Sequence, residues 1–252
     1  MGYGPKSTNS DETLKAWRVF ATDAVGVLDA IGNRCLDLPC GTSLWSAKGV
    51  AARVILRSNE LFGATLNLTS LGTLRAARML VRGLLECTFA AAALTTKPDE
   101  FLTMLKNDSE KSRRNQGQFI LDRRLGNGDL NRERLQRAVD AMDKRLQLIS
   151  PKRVAELGPL VSFYLEYQRL SDDSAHVTGL SLEHYVNRTK AGFVIVLGES
   201  TVDDDVATLH LALRSGLLTG VAISDVLGYS TERQDAMALL LRMESLPKGK
   251  II

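Results

Sequence analysis

Apolar residues recur at intervals of three and four through most of this chain, a spacing that gathers them on one stripe of an α-helix. Leu14, Trp17, Phe20, Ala24, Leu28 and Ile31 form one such stripe. Leu74, Ala77, Val81, Leu84 and Leu85 form a second, and Leu209, Leu213, Leu217, Val221 and Ile223 a third. The pattern predicts helices near 11–31, 43–68, 71–95, 159–177 and 201–227. Only Phe193–Leu197 (FVIVL), between Gly192 and Gly198, reads as a strand. A lone strand needs a partner, either Tyr185–Arg188 in a hairpin or the same strand of a second subunit. The expected fold class is therefore all-α, a helical bundle with one short β-strand or hairpin near 193–197.

Breakers divide the chain. Residues 1–10 are expected to be a flexible arm, and 11–246 a single helical domain. Ser10 or Asp11 is expected to cap the first helix and Gly32 to end it. Gly49 and Gly63 are expected to allow close packing of the second helix, and 67–72 to break or kink it. Pro98 opens a charged helical hairpin at about 98–150, with Gly126–Gly128 as its turn. Beyond 159–177, a short helical turn is expected at 181–185. Thr201, followed by Asp203, Asp204 and Asp205, is expected to cap the helix that Gly228 closes, with a last helix over 231–243.

Several chemistries find no support. There is no glycine-rich phosphate loop, no G-x-S-x-G elbow and no metal-ligand spacing among His176, His184 and His210, so no cofactor or metal is expected. Cys35, Cys40 and Cys87 form no C-x-x-C, which fits free thiols in a reducing cytoplasm. The most apolar segment, 79–94, carries Arg82 and Glu86 and is short for a bilayer, so no membrane association is expected. A net charge of +3 permits nucleic acid as a partner without demanding it.

The stretch from Pro159 to Gly179 (PLVSFYLEYQRLSDDSAHVTG) is where a histidine, an arginine and carboxylates meet by local geometry. Arg169 and His176 lie seven residues apart, two helical turns, with Asp172 and Asp173 between them. Arg75, Arg78, Arg82 and Glu86 step along one face of another helix. The plainer alternative is structural: Arg169 paired with Asp172 or Asp173, His176 closing a helix end, and Arg82–Glu86 an i,i+4 pair. His184 and His210 read as ordinary surface or interface residues.

The arginine and histidine with six residues between them (RLSDDSAH) resemble the R-x(4–6)-H motif of HEPN domains, many of which are metal-independent ribonucleases of toxin–antitoxin and antiphage systems. Leu170 follows the arginine where those ribonucleases usually carry a polar residue. Tyr167-x-x-Leu170-Ser171, then Ala175-His176, also resembles an uncharacterised bacterial helical family that has an upstream Leu-x-Arg-x-x-x-Glu, here Leu80 to Glu86. The resemblance implies Arg169 and His176 as catalytic residues, with Arg82, Glu86, Tyr167, Ser171, Asp172 and Asp173 in support. It also implies a homodimer whose two motifs meet across a two-fold axis.

Those residue types suit RNA cleavage. Attack of a ribose 2′-hydroxyl on the neighbouring phosphate needs proton transfer, which histidine serves, and charge stabilisation, which the planar arginine fork provides. The basic excess over 108–153, with Arg113, Arg114, Arg123 and Arg124, suits a phosphate backbone, whereas the scarcity of aromatics there gives no support for base stacking. The alternative function is a non-catalytic helical adaptor whose partner is a protein encoded nearby.

Overall fold

The computed structural model describes residues 8–39, 43–125, 129–197 and 201–247. Among them are ten α-helices and one antiparallel hairpin, so the chain is all-α with a short β element. In order these are α1 (Thr8–Leu36), α2 (Ala47–Ser70), α3 (Leu74–Thr96), α4 (Pro98–Asp122), α5 (Asp129–Ala141), α6 (Pro151–Glu156), α7 (Tyr164–Leu170), α8 (Gly179–Glu183), β1 (Val186–Thr189), β2 (Gly192–Ile195), α9 (Val202–Leu227) and α10 (Ser230–Met243). The apolar spacing holds in the core, where Trp17, Phe20, Ala24, Leu28 and Ile31 of α1 are all buried.

Helices α3 and α9 form the centre, with α2, α1 and α10 around them. A buried seam of small polar residues joins the central pair. Thr88 Oγ1 lies 3.1 Å from the Ser215 carbonyl oxygen and 3.1 Å from the Thr219 hydroxyl. Small residues also admit α1: a Cβ on Gly220 would lie 2.9 Å from Leu28 Cδ2 and 3.1 Å from Ile31 Cδ1. By length and composition Leu74–Thr96 and Val202–Leu227 are apolar enough to cross a membrane, but more than half of each apolar window is buried inside the bundle.

The helix ends follow local chemistry. Thr201 and Asp204 form a reciprocal capping box at the start of α9, and Gly228 closes it at φ 75°. Ser46 caps α2 through the Gly49 N–H at 3.1 Å, and Pro98 occupies the first turn of α4. Helix α1 differs from expectation at both ends. It begins at Thr8, before Ser10 and Asp11, and runs through Gly32 to Leu36. Gly32 is retained because Asn59 Nδ2 lies 2.7 Å from where its Cβ would be. Gly63, by contrast, has no atom within 4 Å of its Cβ position, so close packing is not its role.

The expected single helix over 159–177 is the largest departure. The chain there runs through a 3-10 turn (Val161–Phe163), α7 and a π-helical turn (Ser171–Ala175). Gly179 opens α8, whose N-cap is Thr178. The expected strand is β2, paired with β1 in the register Val186↔Ile195, Asn187↔Val194 and Arg188↔Phe193. Helices α4 and α5 form the charged hairpin, with the Gly117 Cβ position 2.6 Å from Val139 Cγ2. Residues 1–7, Cys40, Gly126–Gly128 and Gly198 lie outside the described residues.

Candidate functional site

The segment 164–176 lies along α3, held by two arginines one turn apart. Arg82 donates from Nε to Ser171 Oγ at 2.8 Å and from a terminal nitrogen to the Tyr167 hydroxyl. Its guanidinium also lies over the Tyr167 ring, 4.6 Å from the centroid. The Tyr167 hydroxyl in turn donates to Glu86 Oε1 at 3.0 Å, and Arg82 pairs with Glu86 at 3.6 Å. Four of the residues singled out in the sequence, Arg82, Glu86, Tyr167 and Ser171, thus form one network.

One turn earlier, Arg78 bridges two carboxylates, Asp173 at 2.9 Å and Asp204 at 2.9 Å, and approaches Thr208 Oγ1 at 3.3 Å. Asp173 also contacts His184 Nε2. Arg75 donates to the His184 carbonyl at 3.2 Å and lies 4.8 Å from the Tyr185 ring centroid. Arg78, His184 and Asp204 thus join the site although the sequence reading left them out. The signal for Arg78 was its place on the Arg75–Arg82–Glu86 face. His184, read from the sequence as an ordinary surface or interface residue, closes on Asp173 across eleven residues. His210 packs edge-on against Trp17 at 5.5 Å.

The π-turn explains how Ser171 and Asp173 both reach α3. Ser171 and Ser174 hydroxyls donate back to the Tyr167 and Leu170 carbonyls at 2.8 and 2.9 Å. Such back-bonding competes with the regular helical ladder, and π-turns recur at functional sites. Because the wider turn intervenes, a seven-residue step does not return His176 to the bearing of Arg169. His176 leaves the helix at φ −124° and ψ 154°.

Arg169 and His176 stand outside the network. Arg169 is 67% exposed and pairs with Glu166 at 3.5 Å, not with Asp172 or Asp173. His176 is exposed and, among the described residues, makes no hydrogen bond or ion pair. The Asp172 side chain is exposed, and its backbone carbonyl accepts from the Thr178 hydroxyl at 2.7 Å. On the α4–α5 hairpin, Arg113, Arg123 and Arg124 are exposed and Arg114 is half-buried. Among the described residues, no group of three His, Cys, Asp and Glu gathers as a metal site requires.

Electrostatics match the geometry. Burial, then Glu86, pushes the Tyr167 hydroxyl above its ordinary 10.0 against the pull of Arg82. For Asp204, burial raises the carboxyl, but hydrogen bonds from Thr201 and the charge of Arg78 outweigh it and hold the group below 3.8. Burial raises the Cys87 thiol to about 11, so this cysteine is no ready nucleophile.

An all-α bundle with a polar network pinning one irregular helix to its central helix is the class this architecture defines. The chain belongs to DUF5677, a family of unknown function whose model matches residues 48–193, more than half of its length. The matched span runs from α2 to the start of β2 and takes in both arginine networks except Asp204 and Thr208. No curated protein and no solved structure matches the chain.

Proposed function

We propose that this protein is a HEPN-like, metal-independent ribonuclease that works as a homodimer in a reducing cytoplasm, as a toxin or antiphage effector. One observation carries the reading: along 169–176 Ser171 and Asp173 are tied to α3, whereas Arg169 and His176 stay open to a substrate. That division suits a motif whose middle is scaffold and whose ends do chemistry. Asp173 would repel an RNA phosphate if it were free, but Arg78, which it shares with Asp204, lowers that repulsion. Arg82, Glu86, Tyr167 and Ser171 are then positioning residues, and Asp172 lies at the exposed edge of the site.

In the reaction, the ribose 2′-oxygen attacks phosphorus and the bond to the 5′-oxygen breaks. The 2′-hydroxyl gives up its proton and the departing 5′-oxygen gains one, with His176 serving proton transfer. Arg169 stabilises the non-bridging oxygens as charge builds on them. The products carry a 2′,3′-cyclic phosphate and a 5′-hydroxyl. The exposed arginines of the α4–α5 hairpin hold the phosphate backbone.

Incubation of the full chain with single-stranded RNA in excess EDTA tests the proposal. Cleavage leaving cyclic phosphate ends is expected. Cleavage abolished by chelation, or ends bearing a 3′-hydroxyl, overturns it. A second reading, a non-catalytic adaptor bound to a protein encoded nearby, draws on the internal pairing of Arg82 and Glu86, which suits a purely architectural role. That reading expects no cleavage under any condition.

A further inference from the structure

Among the described residues the β1–β2 hairpin pairs with no further strand, and its two edges differ in character. β1 carries Arg188, with Lys190 just beyond it, whereas Phe193-Val194-Ile195 of β2 and the following Val196-Leu197 carry no charge. Both faces of β2 are open: Phe193 is 70% and Ile195 73% exposed on one side, with Val194 half-open on the other. Natural edge strands are guarded by charge, lysine, proline or a covering element, and a two-stranded hairpin is marginal alone. β1 has the charged guard and β2 does not.

The Val196 N–H donates to the Tyr185 carbonyl at 2.9 Å, which makes Tyr185 and Val196 a hydrogen-bonded pair. Such pairs alternate along an antiparallel ladder, so Asn187–Val194 is also hydrogen-bonded, and Val186–Ile195 and Arg188–Phe193 are not. The N–H and C=O groups of Phe193 and Ile195 therefore point away from β1.

We infer that the β2 edge is a self-association strand that pairs antiparallel with β2 of a second copy, giving a four-stranded sheet across a two-fold axis at Val194. In that register Phe193 of each copy exchanges both backbone hydrogen bonds with Ile195 of the other. Their side chains meet as an aromatic and β-branched pair, and Val194 faces Val194. The charge pattern selects this edge and this occupant. A two-fold contact of β2 brings no charge into the new ladder and is complementary to itself, whereas the matching contact of β1, about Asn187, would bring Arg188 of both copies into it. The inference stands on the hairpin alone, independently of the nuclease reading, and names the face of the proposed homodimer.

Its test reads mass and cross-linking at β2, so a dimer indifferent to β2 changes overturns this face and leaves the nuclease reading standing, whereas loss of RNA cleavage alone leaves this face standing. Ile195→Pro removes an outward N–H from β2 without touching the β1–β2 ladder, and Arg188→Pro is the matched change on the other edge. Light scattering of the full chain across the micromolar range should show a dimer. Ile195→Pro should weaken it by about tenfold or more, because two backbone hydrogen bonds are lost per dimer, and Arg188→Pro should not. Under mild oxidation Val194→Cys should form a covalent dimer faster than the native chain does, since residues facing each other at the axis lie within disulfide reach. A monomeric native chain, a dimer indifferent to Ile195→Pro, or no added cross-linking by Val194→Cys overturns the inference.

Discussion

Arg78 balances two carboxylates that come from segments far apart in sequence, Asp173 in the π-turn and Asp204 in the first turn of α9. Its side chain is only 19% exposed, so removing it leaves two poorly solvated negative charges facing each other. Arg78→Met should therefore cost about 1–3 kcal/mol. For a chain of this length that is a fall of roughly 2–10 °C in melting temperature by calorimetry. Asp204 adds a pH dependence of known sign. Its carboxyl is held below the ordinary 3.8, so its contribution is present above that value and lost as pH falls through the lower folded one. Tyr167 has the opposite sense: its raised hydroxyl contributes below pH 10.0 and loses that contribution as pH rises through the folded value. Melting temperature followed against pH should show a shallower acid limb in Asp204→Asn and a shallower alkaline limb in Tyr167→Phe.

Elements differ in how much of them periodicity could reveal. The stripes of α1, α3 and α9 were legible because each buries one continuous face, and the hairpin was legible from its apolar run. The segment 159–177 was not, because hydroxyl back-bonding by Ser171 and Ser174 competes with the regular ladder without altering apolar spacing. The packing of this segment is also tight. A Cβ on Gly158 would lie 2.8 Å from the Ala92 Cβ and 3.2 Å from the Ala92 backbone carbon. Gly158→Ala should cost about 1–3 kcal/mol through overpacking, measurable by urea denaturation. The α4–α5 hairpin carries a different prediction. If its arginines hold RNA by phosphates, log affinity should fall with log salt by about 0.7 per phosphate contacted. Replacing Arg113, Arg114, Arg123 and Arg124 by glutamate should weaken all RNA sequences alike and flatten that slope, as fluorescence anisotropy would record.

At the scale of the whole molecule, the central pair α3 and α9 serves both packing and site. The buried face of α3 builds the core, and its opposite side presents Arg75, Arg78, Arg82 and Glu86 to the segment that carries the motif. Sequence spacing found that arginine face, and the family resemblance supplied the Arg82–Glu86–Tyr167–Ser171 set. It could not find Asp204 or His184, because only tertiary folding brings α9 and the end of α8 to Asp173. It also placed Arg169 and His176 on one helical face, which a π-turn prevents.

The central claim is that Arg169 and His176 do chemistry while the residues between them hold the fold. The most direct test is RNA cleavage by the native chain, Arg169→Ala and His176→Ala, each with its melting temperature. The account predicts cleavage by the native chain and a loss of about 10²–10⁴-fold in His176→Ala, the range for a general acid or base. It also predicts a large loss in Arg169→Ala, and melting temperatures within about 2 °C of native for both, as for exposed positions. Cleavage retained in both variants, or lost only together with a drop of many degrees, would contradict it.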